Sequence, residues 1–294
     1  MAVRAALLRP AMSIYTTVVS AGDLAHHIDH PDWVIVDCRF TLTDPEAGRR
    51  AYTQGHLPGA RYAHLEDDLS APVSPRSGRH PLPDPDVLEG KLGAWGIDSE
   101  KQVVAYDDTF GAMASRLWWL LRWLGHDRVA LLDGGLPAWT RAGLPVTTEI
   151  PRVHPAHFLA NPRPGMVVSA ESVAASLAED SAVLVDARAE ERFSGEVEPL
   201  DPVAGHVPGA VNLPWEDNLD LDGTFLPPGD LKELYGDIIG SHSSADVIAM
   251  CGSGVTACHN LLAMEIAGIS AARLYAGSWS EWITDPGRPV ATGE

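Results

Sequence analysis

The chain of 294 residues is 45% apolar and 21% charged, the make-up of an ordinary globular protein, and its length points to two domains. Its formal charge of −19 excludes nucleic acid and anionic membrane surfaces as expected partners, and no apolar run approaches the ~20 residues of a membrane span. Three scattered cysteines, Cys38, Cys251 and Cys258, are too few for a disulfide framework or a zinc site, so no metal is expected and the reducing cytoplasm is the expected compartment.

At the N-terminus, Met1–Pro10 carries Arg4 and Arg9 and no acid, but its apolar centre is too short for an export signal. Residues 1–11 therefore read as a leader, or as an upstream start before Met12. A first domain is expected over residues 13–147. In it, Val34–Asp37, Val103–Tyr106 and Val129–Leu132 are short β-rich runs ending in turn residues, and they read as strands. Ala71–Pro85, rich in proline, serine and arginine, reads as a solvated loop or as a flap reaching over a neighbouring domain. Ser115–Leu124 reads as an apolar helix stopped by Gly125, its tryptophans packed in the core or between domains. Pro145–Pro164 has five prolines and little periodicity, so a linker over 148–166 is expected to wrap the surface ahead of a second domain over 167–291.

The second half repeats the first. Val34–Arg39 recurs as Val183–Arg188, Gly55–Ala60 as Gly205–Ala210, Val103–Asp107 as Val247–Cys251, and Leu131–Trp139 as Leu274–Trp282, in one order. In each half strands alternate with helices, the pattern of a parallel sheet covered by helices on both faces, which makes the chain an α/β protein. His56 and His206 occur in both copies, which points to a structural turn. His26, His27 and His30 cluster without metal-ligand spacing and read as a solvated helix face.

The chemistry concentrates after the strand Val247–Met250. It ends on Cys251, a loop with Gly252 and Gly254 follows, and then a helical pattern of apolar residues at Val255, Leu261, Leu262, Met264 and Ile266. A thiol between the end of a strand and the start of a helix meets unpaired N–H groups and the positive end of the helix dipole, which favour thiolate. The glycines let the backbone curl round the sulfur. In the first half Asp107 takes the cysteine's place, so the second half alone is expected to be catalytic. A phosphatase loop, Cys-x-x-x-x-x-Arg, is excluded because the sixth residue after Cys251 is Ala257.

Gly205–Ala210, Asp186–Arg188, Cys251–Ala257 and Gly277–Trp282 resemble the signatures of the rhodanese superfamily, specifically its two-domain sulfurtransferases. The resemblance implies two tandem rhodanese-like domains and a Cys251 persulfide, formed from a small anionic sulfur donor and passed to cyanide, a small thiol or a thioredoxin-like protein. No cofactor is implied. The loop Gly252, Ser253, Gly254, Val255 and Thr256 is similar to that of members that use 3-mercaptopyruvate, whereas thiosulfate-specific members carry arginine and lysine after the cysteine. Thiosulfate as donor, or a non-catalytic sulfur-carrier or binding module, are the alternatives.

The resemblance also implies roles for other residues. Arg192 matches the residue that binds the donor's anionic group, and a planar guanidinium suits a carboxylate. Arg188 is a second candidate contact, although its Asp-x-Arg element also occurs in the first half as Asp37-x-Arg39 and suits a structural pair. Leu200 stands where the family has another arginine, leaving Arg76, Arg79 or Arg116 to compensate. Ser253 is implied within reach of the sulfur, with His80 and Glu66 as a pair that activates it if the flap crosses to the second domain. Cys258 is placed about 10 Å along the helix from Cys251, beyond disulfide reach, and reads as buried packing.

Overall fold

The computed structural model describes residues 14–293; the leader at residues 1–11 and the boundary at residue 13 lie outside them. The first half runs β1 (Val18–Val19), α1 (Ala21–His27), β2 (Trp33–Asp37), α2 (Ala47–Gln54), β3 (Arg61–Tyr62), α3 (Pro85–Ala94), β4 (Gln102–Tyr106), α4 (Ala114–Trp123), β5 (Val129–Leu132) and α5 (Gly135–Arg141). Its five strands are parallel in the order β1-β5-β4-β2-β3. The second half runs α6 (Ala170–Ala178), β6 (Val183–Asp186), α7 (Glu190–Ser194), β7 (Ala210–Asn212), α8 (Pro228–Ile239), β8 (Val247–Met250), α9 (Ala257–Ile266), β9 (Arg273–Leu274) and α10 (Ser278–Trp282). Its parallel order is β7-β6-β8-β9, and Val167 bridges to Leu274 as Val18 of β1 pairs with Leu131 of β5. The duplication in sequence is a duplication of topology.

The central strands β2, β4, β5 and β8 are buried along their whole length, which is why they read as continuous apolar runs. In α4 every residue except Arg122 is buried. A helix apolar all round needs cover on all sides; α4 packs on β4 and β5 and, across the domain interface, against α9. One cluster of buried side chains accordingly runs from Val103 through Trp118 and Trp119 to Leu261 and Ala249. Arg122 closes the interface rim with a 3.1 Å bond to Glu265.

The repeated motifs are fasteners. Arg39 pairs with Asp37 and donates to the Gly55 carbonyl at 2.7 Å, and Arg188 does the same with Asp186 and Gly205 at 2.8 Å. His56 stacks on Tyr52 with ring centroids 3.9 Å apart, and His206 on Phe193 at 3.8 Å. The other cluster is less solvated than its pattern suggests: His26 is exposed, but His27 stacks on Trp33 at 4.3 Å. The linker is tied down, because Asn161 and Arg163 donate backbone N–H bonds to Leu124 and Trp123 and Phe158 is buried. The segment 71–84 is a flap: Arg79 N donates to Ser280 Oγ at 3.0 Å, and a Cβ on Gly78 would lie 2.4 Å from the Gly277 carbonyl.

Candidate active site

Cys251 follows the last residue of β8, and the loop 251–256 intervenes before α9 begins at Ala257. Gly254 sits at φ +73 and donates its N–H to Cys251 Sγ at 3.1 Å. A Cβ there would lie 2.3 Å from the Ala276 carbonyl, so the turn requires glycine. The start of α10 pins the loop from behind: Cys251 N donates to Ser278 Oγ at 3.1 Å, and Trp279 and Ser280 donate to the carbonyls of Cys251 and Gly252. Ser278 is buried in the left-handed region at φ 55 and holds the Tyr275 carbonyl at 2.9 Å, which accounts for the Gly277–Trp282 motif.

The first half shows what this loop is built to hold. Asp107, fully buried at the equivalent position, accepts N–H bonds from Thr109, Gly111, Met113 and Ala114 at 2.8–2.9 Å. Burial pushes its carboxyl up from the ordinary range, and those four bonds oppose the shift. One backbone form thus cradles a carboxylate in one half and a thiol in the other.

Cys251 opens onto a cavity of about 290 Å³ between the halves. Gly252, Ser253, Val255, Thr256, Arg188 and Arg192 of the second half line it, together with Arg79, Thr109 and Met113 of the first. Gly254 is not among the lining residues and reaches the site through its N–H bond to the sulfur. The flap brings His80 to 2% exposure with Nδ1 at 2.7 Å from Ser253 Oγ. Burial, then the charges of Arg116 and Arg79, push the His80 pKa down to about 3. The imidazole is therefore neutral. Glu66 Oε1 lies 3.9 Å from His80 Nε2 with its side chain 48% exposed, too far for a hydrogen bond. The expected Ser253–His80–Glu66 chain stops at the histidine, because Glu66 stays at the solvent edge.

The arginines divide by partner. Arg188 donates to Asp186 and the Gly205 carbonyl and lies 4.8 Å from the Trp279 ring centre, the structural pair its motif suggests, while it also lines the cavity and its Nη1 has no hydrogen-bond partner among the described residues. Arg192 grips Glu198 at 2.8 and 2.9 Å and reaches Asp201 at 3.2 Å. Burial works against charge on Glu198, but Arg192 and the Leu200 and Asp201 N–H groups outweigh it and hold its carboxyl low. Arg79 pairs with the other oxygen of Asp201. Arg116 is fully buried under the loop, donating to the Gly254 carbonyl at 2.9 Å and the His80 carbonyl at 3.0 Å. Arg76 lines a different cavity, with Glu171, Glu281 and Arg288.

No continuous helix joins Cys251 to Cys258. The residues after Cys251 are loop and not helix, so the rise along α9 does not separate the thiols. Both contact Gly254, Cys251 at its N–H and Cys258 at its carbonyl at 3.4 Å. Cys258 is fully buried, and burial pushes its thiol up to about 12 against the pull of Arg116. Asp201, Trp215 and Glu216 were not singled out from the sequence. Arg116 did leave a signal, a lone cation on the buried face of an apolar helix.

Comparison with known proteins agrees with this architecture. The family profile of the rhodanese-like domain matches residues 20–142 and 169–285. A Pseudomonas aeruginosa protein named "Probable 3-mercaptopyruvate sulfurtransferase" is 52% identical over 279 residues, covering 94% of this chain and 98% of its own. The Mycobacterium tuberculosis protein named "Putative thiosulfate sulfurtransferase SseB" is 42% identical, covering 94% and 97%. The crystal structure of Escherichia coli SseA, a 3-mercaptopyruvate sulfotransferase, superposes with a TM-score of 0.79 at 34% identity, covering 91% of this chain and 100% of that one. With both halves matched and relatives of this similarity aligned end to end, the chain belongs to the two-domain sulfurtransferases of the rhodanese family.

Proposed function

We propose that the enzyme takes the sulfur of 3-mercaptopyruvate onto Cys251 as a persulfide and passes it to cyanide, a small thiol or a thioredoxin-like protein in the cytoplasm, without a cofactor. The Cys251 thiolate attacks the donor sulfur, and an S–S bond forms as the donor's C–S bond breaks. The electron pair of that bond goes to the methylene carbon, which takes up the proton of the donor thiol and leaves as pyruvate. Attack by the acceptor on the outer sulfur then restores the Cys251 thiolate. Splitting the transfer in this way needs an anion-tolerant sulfur site and a place for one carboxylate.

The observation that carries the reading is the cavity itself: the sulfur meets the Gly254 N–H, the loop 251–256 carries no cation of its own, and the arginines that line the cavity, Arg79, Arg188 and Arg192, come from other segments. A loop without cations favours a monoanionic donor over a dianion. Thiosulfate is the second reading, supported by the name of the Mycobacterium tuberculosis relative and by Leu200. The test is steady-state transfer to cyanide with each donor, beside Cys251→Ser. A larger kcat/KM with mercaptopyruvate, abolished in the variant, supports the proposal. A preference for thiosulfate replaces the donor, and turnover equal to that of the variant replaces the enzyme by a carrier or binding module.

A further inference from the structure

Arg79 and Arg192 line the cavity beside Cys251. A Cβ placed on Gly252, the residue next to the nucleophile, would lie 2.8 Å from Arg79 Nη2 and 3.4 Å from Arg192 Nη1. The two forks come from different halves of the chain and converge on one spot beside the sulfur. Between them sits a carboxylate of the protein, since Asp201 bonds Arg79 through Oδ1 and Arg192 through Oδ2. Asp201 is enclosed, its side chain 4% exposed, while Arg79 and Arg192 keep 27% and 18% exposure. Arg79 Nε is buried without a hydrogen-bond partner among the described residues, so this guanidinium has donor capacity to spare.

Glu198 explains how the arrangement survives a change of occupant. It holds Arg192 by two bonds and caps the Leu200 and Asp201 N–H groups, so Arg192 keeps its place when the Asp201 side chain turns away. Arg79, Arg192, Glu198 and Asp201 together carry no net charge. An incoming carboxylate therefore finds two matching forks but must displace a group of its own kind.

We infer that Arg79, delivered by the flap, is the second donor-binding cation that Leu200 does not supply, and that Asp201 occupies the donor's carboxylate position until the donor displaces it. The inference rests on the mercaptopyruvate reading above. Asp201 thereby sets donor affinity and discriminates by charge, because its repulsion of a dianion is about twice that of a monoanion. Leu200 costs the site nothing, since the missing guanidinium arrives across the domain interface.

The test uses the full chain with two readouts, KM in transfer to cyanide and the calorimetric affinity for pyruvate, an unreactive carboxylate probe. Losing a charge-assisted bidentate contact, Arg79→Gln should weaken both about 10-fold or more, and Arg79→Lys should recover part of the loss. Asp201→Asn should tighten both about 5-fold, with thiosulfate gaining more than mercaptopyruvate, a gain no misfolded protein can produce. Unchanged or weakened binding in Asp201→Asn, or a wild-type pyruvate affinity in Arg79→Gln, overturns the inference. If Arg192→Gln alone raises KM, this inference fails and the donor reading stands. If wild type does not turn over mercaptopyruvate, both fail.

Discussion

His80 offers the sharpest test of how the thiol is activated. Its imidazole is buried and neutral, its pKa held at about 3 by burial and then by Arg116 and Arg79. At ~1.4 kcal/mol per pH unit, protonating it near pH 7 costs about 5 kcal/mol. A base that reluctant does not draw the Cys251 proton, and its 2.7 Å bond to Ser253 is then a positioning contact. His80→Gln keeps a group able to bond Ser253 and is expected to lower kcat/KM by less than about 10-fold, against the ~10²–10⁴ of a lost general base. The assay is sulfur transfer to cyanide from about pH 5 to 9, through the ordinary histidine range, for wild type, His80→Gln and Glu66→Gln. All three should share one pH profile. A loss above about 100-fold in His80→Gln, with disappearance of a wild-type inflection in the histidine range, would refute the argument and restore the relay.

Acid stability tests the same shift thermodynamically. His80 and His259 are both held near pKa 3 by burial, against about 6.5 in an unfolded chain, so the unfolded state binds their protons first. The stability they contribute is complete above about pH 6.5 and is lost as pH falls toward 3, at ~1.4 kcal/mol per unit each. Denaturant unfolding at about pH 6.5 and 5 should therefore cost wild type about 2 kcal/mol more than His80→Gln, and equal losses would count against the buried neutral state. Gly254→Ala forces a Cβ to 2.3 Å from the Ala276 carbonyl at φ +73; a cost of about 3 kcal/mol or more is expected, with loss of transfer, and an unshifted urea midpoint would show that the loop relaxes. Arg116→Met removes the donors holding the Gly254 and His80 carbonyls, so amide exchange across residues 71–84 should quicken about 10-fold, whereas unchanged protection would mean the flap has other anchors.

The fold was legible because its signals are local and doubled. Val34–Asp37 and Val183–Asp186 each announce a buried strand, and the repeated Gly-His-x-Pro-Gly turn fixes where each half folds back. The loop at Cys251 was legible by comparison of the halves, since Gly-Ser-Gly follows the strand-end position in the second half alone, where Cys251 replaces Asp107. What spacing does not carry is which distant side chains meet. Asp201 is an ordinary acid in a proline-rich turn until Arg79 arrives from more than a hundred residues away. The helical rise expected between Cys251 and Cys258 does not apply, because the chain spends residues 251–256 curling round Gly254 before α9 begins. The partnership of Glu66 with His80 came only from the family resemblance, and 3.9 Å and an exposed carboxylate are matters of packing.

The asymmetry between the halves has a physical consequence. In the first half the loop satisfies itself, because Asp107 fills the cradle with its own carboxylate and leaves no room for a reacting sulfur. That half forms the other wall of the cavity. It supplies Met113 and Thr109 from the filled loop, Arg79 and His80 from the flap, and Arg116 from α4. The second half alone would keep Cys251 and the Gly254 N–H but lose one of two guanidinium forks, the partner of Ser253 and the donor to the Gly254 carbonyl. The buried cluster shared by α4 and α9 is thus more than an interface: it sets the register in which a flap from one half meets a nucleophile from the other. A shift of α4 against α9 would move Arg116, and with it both the flap and the turn that holds the sulfur.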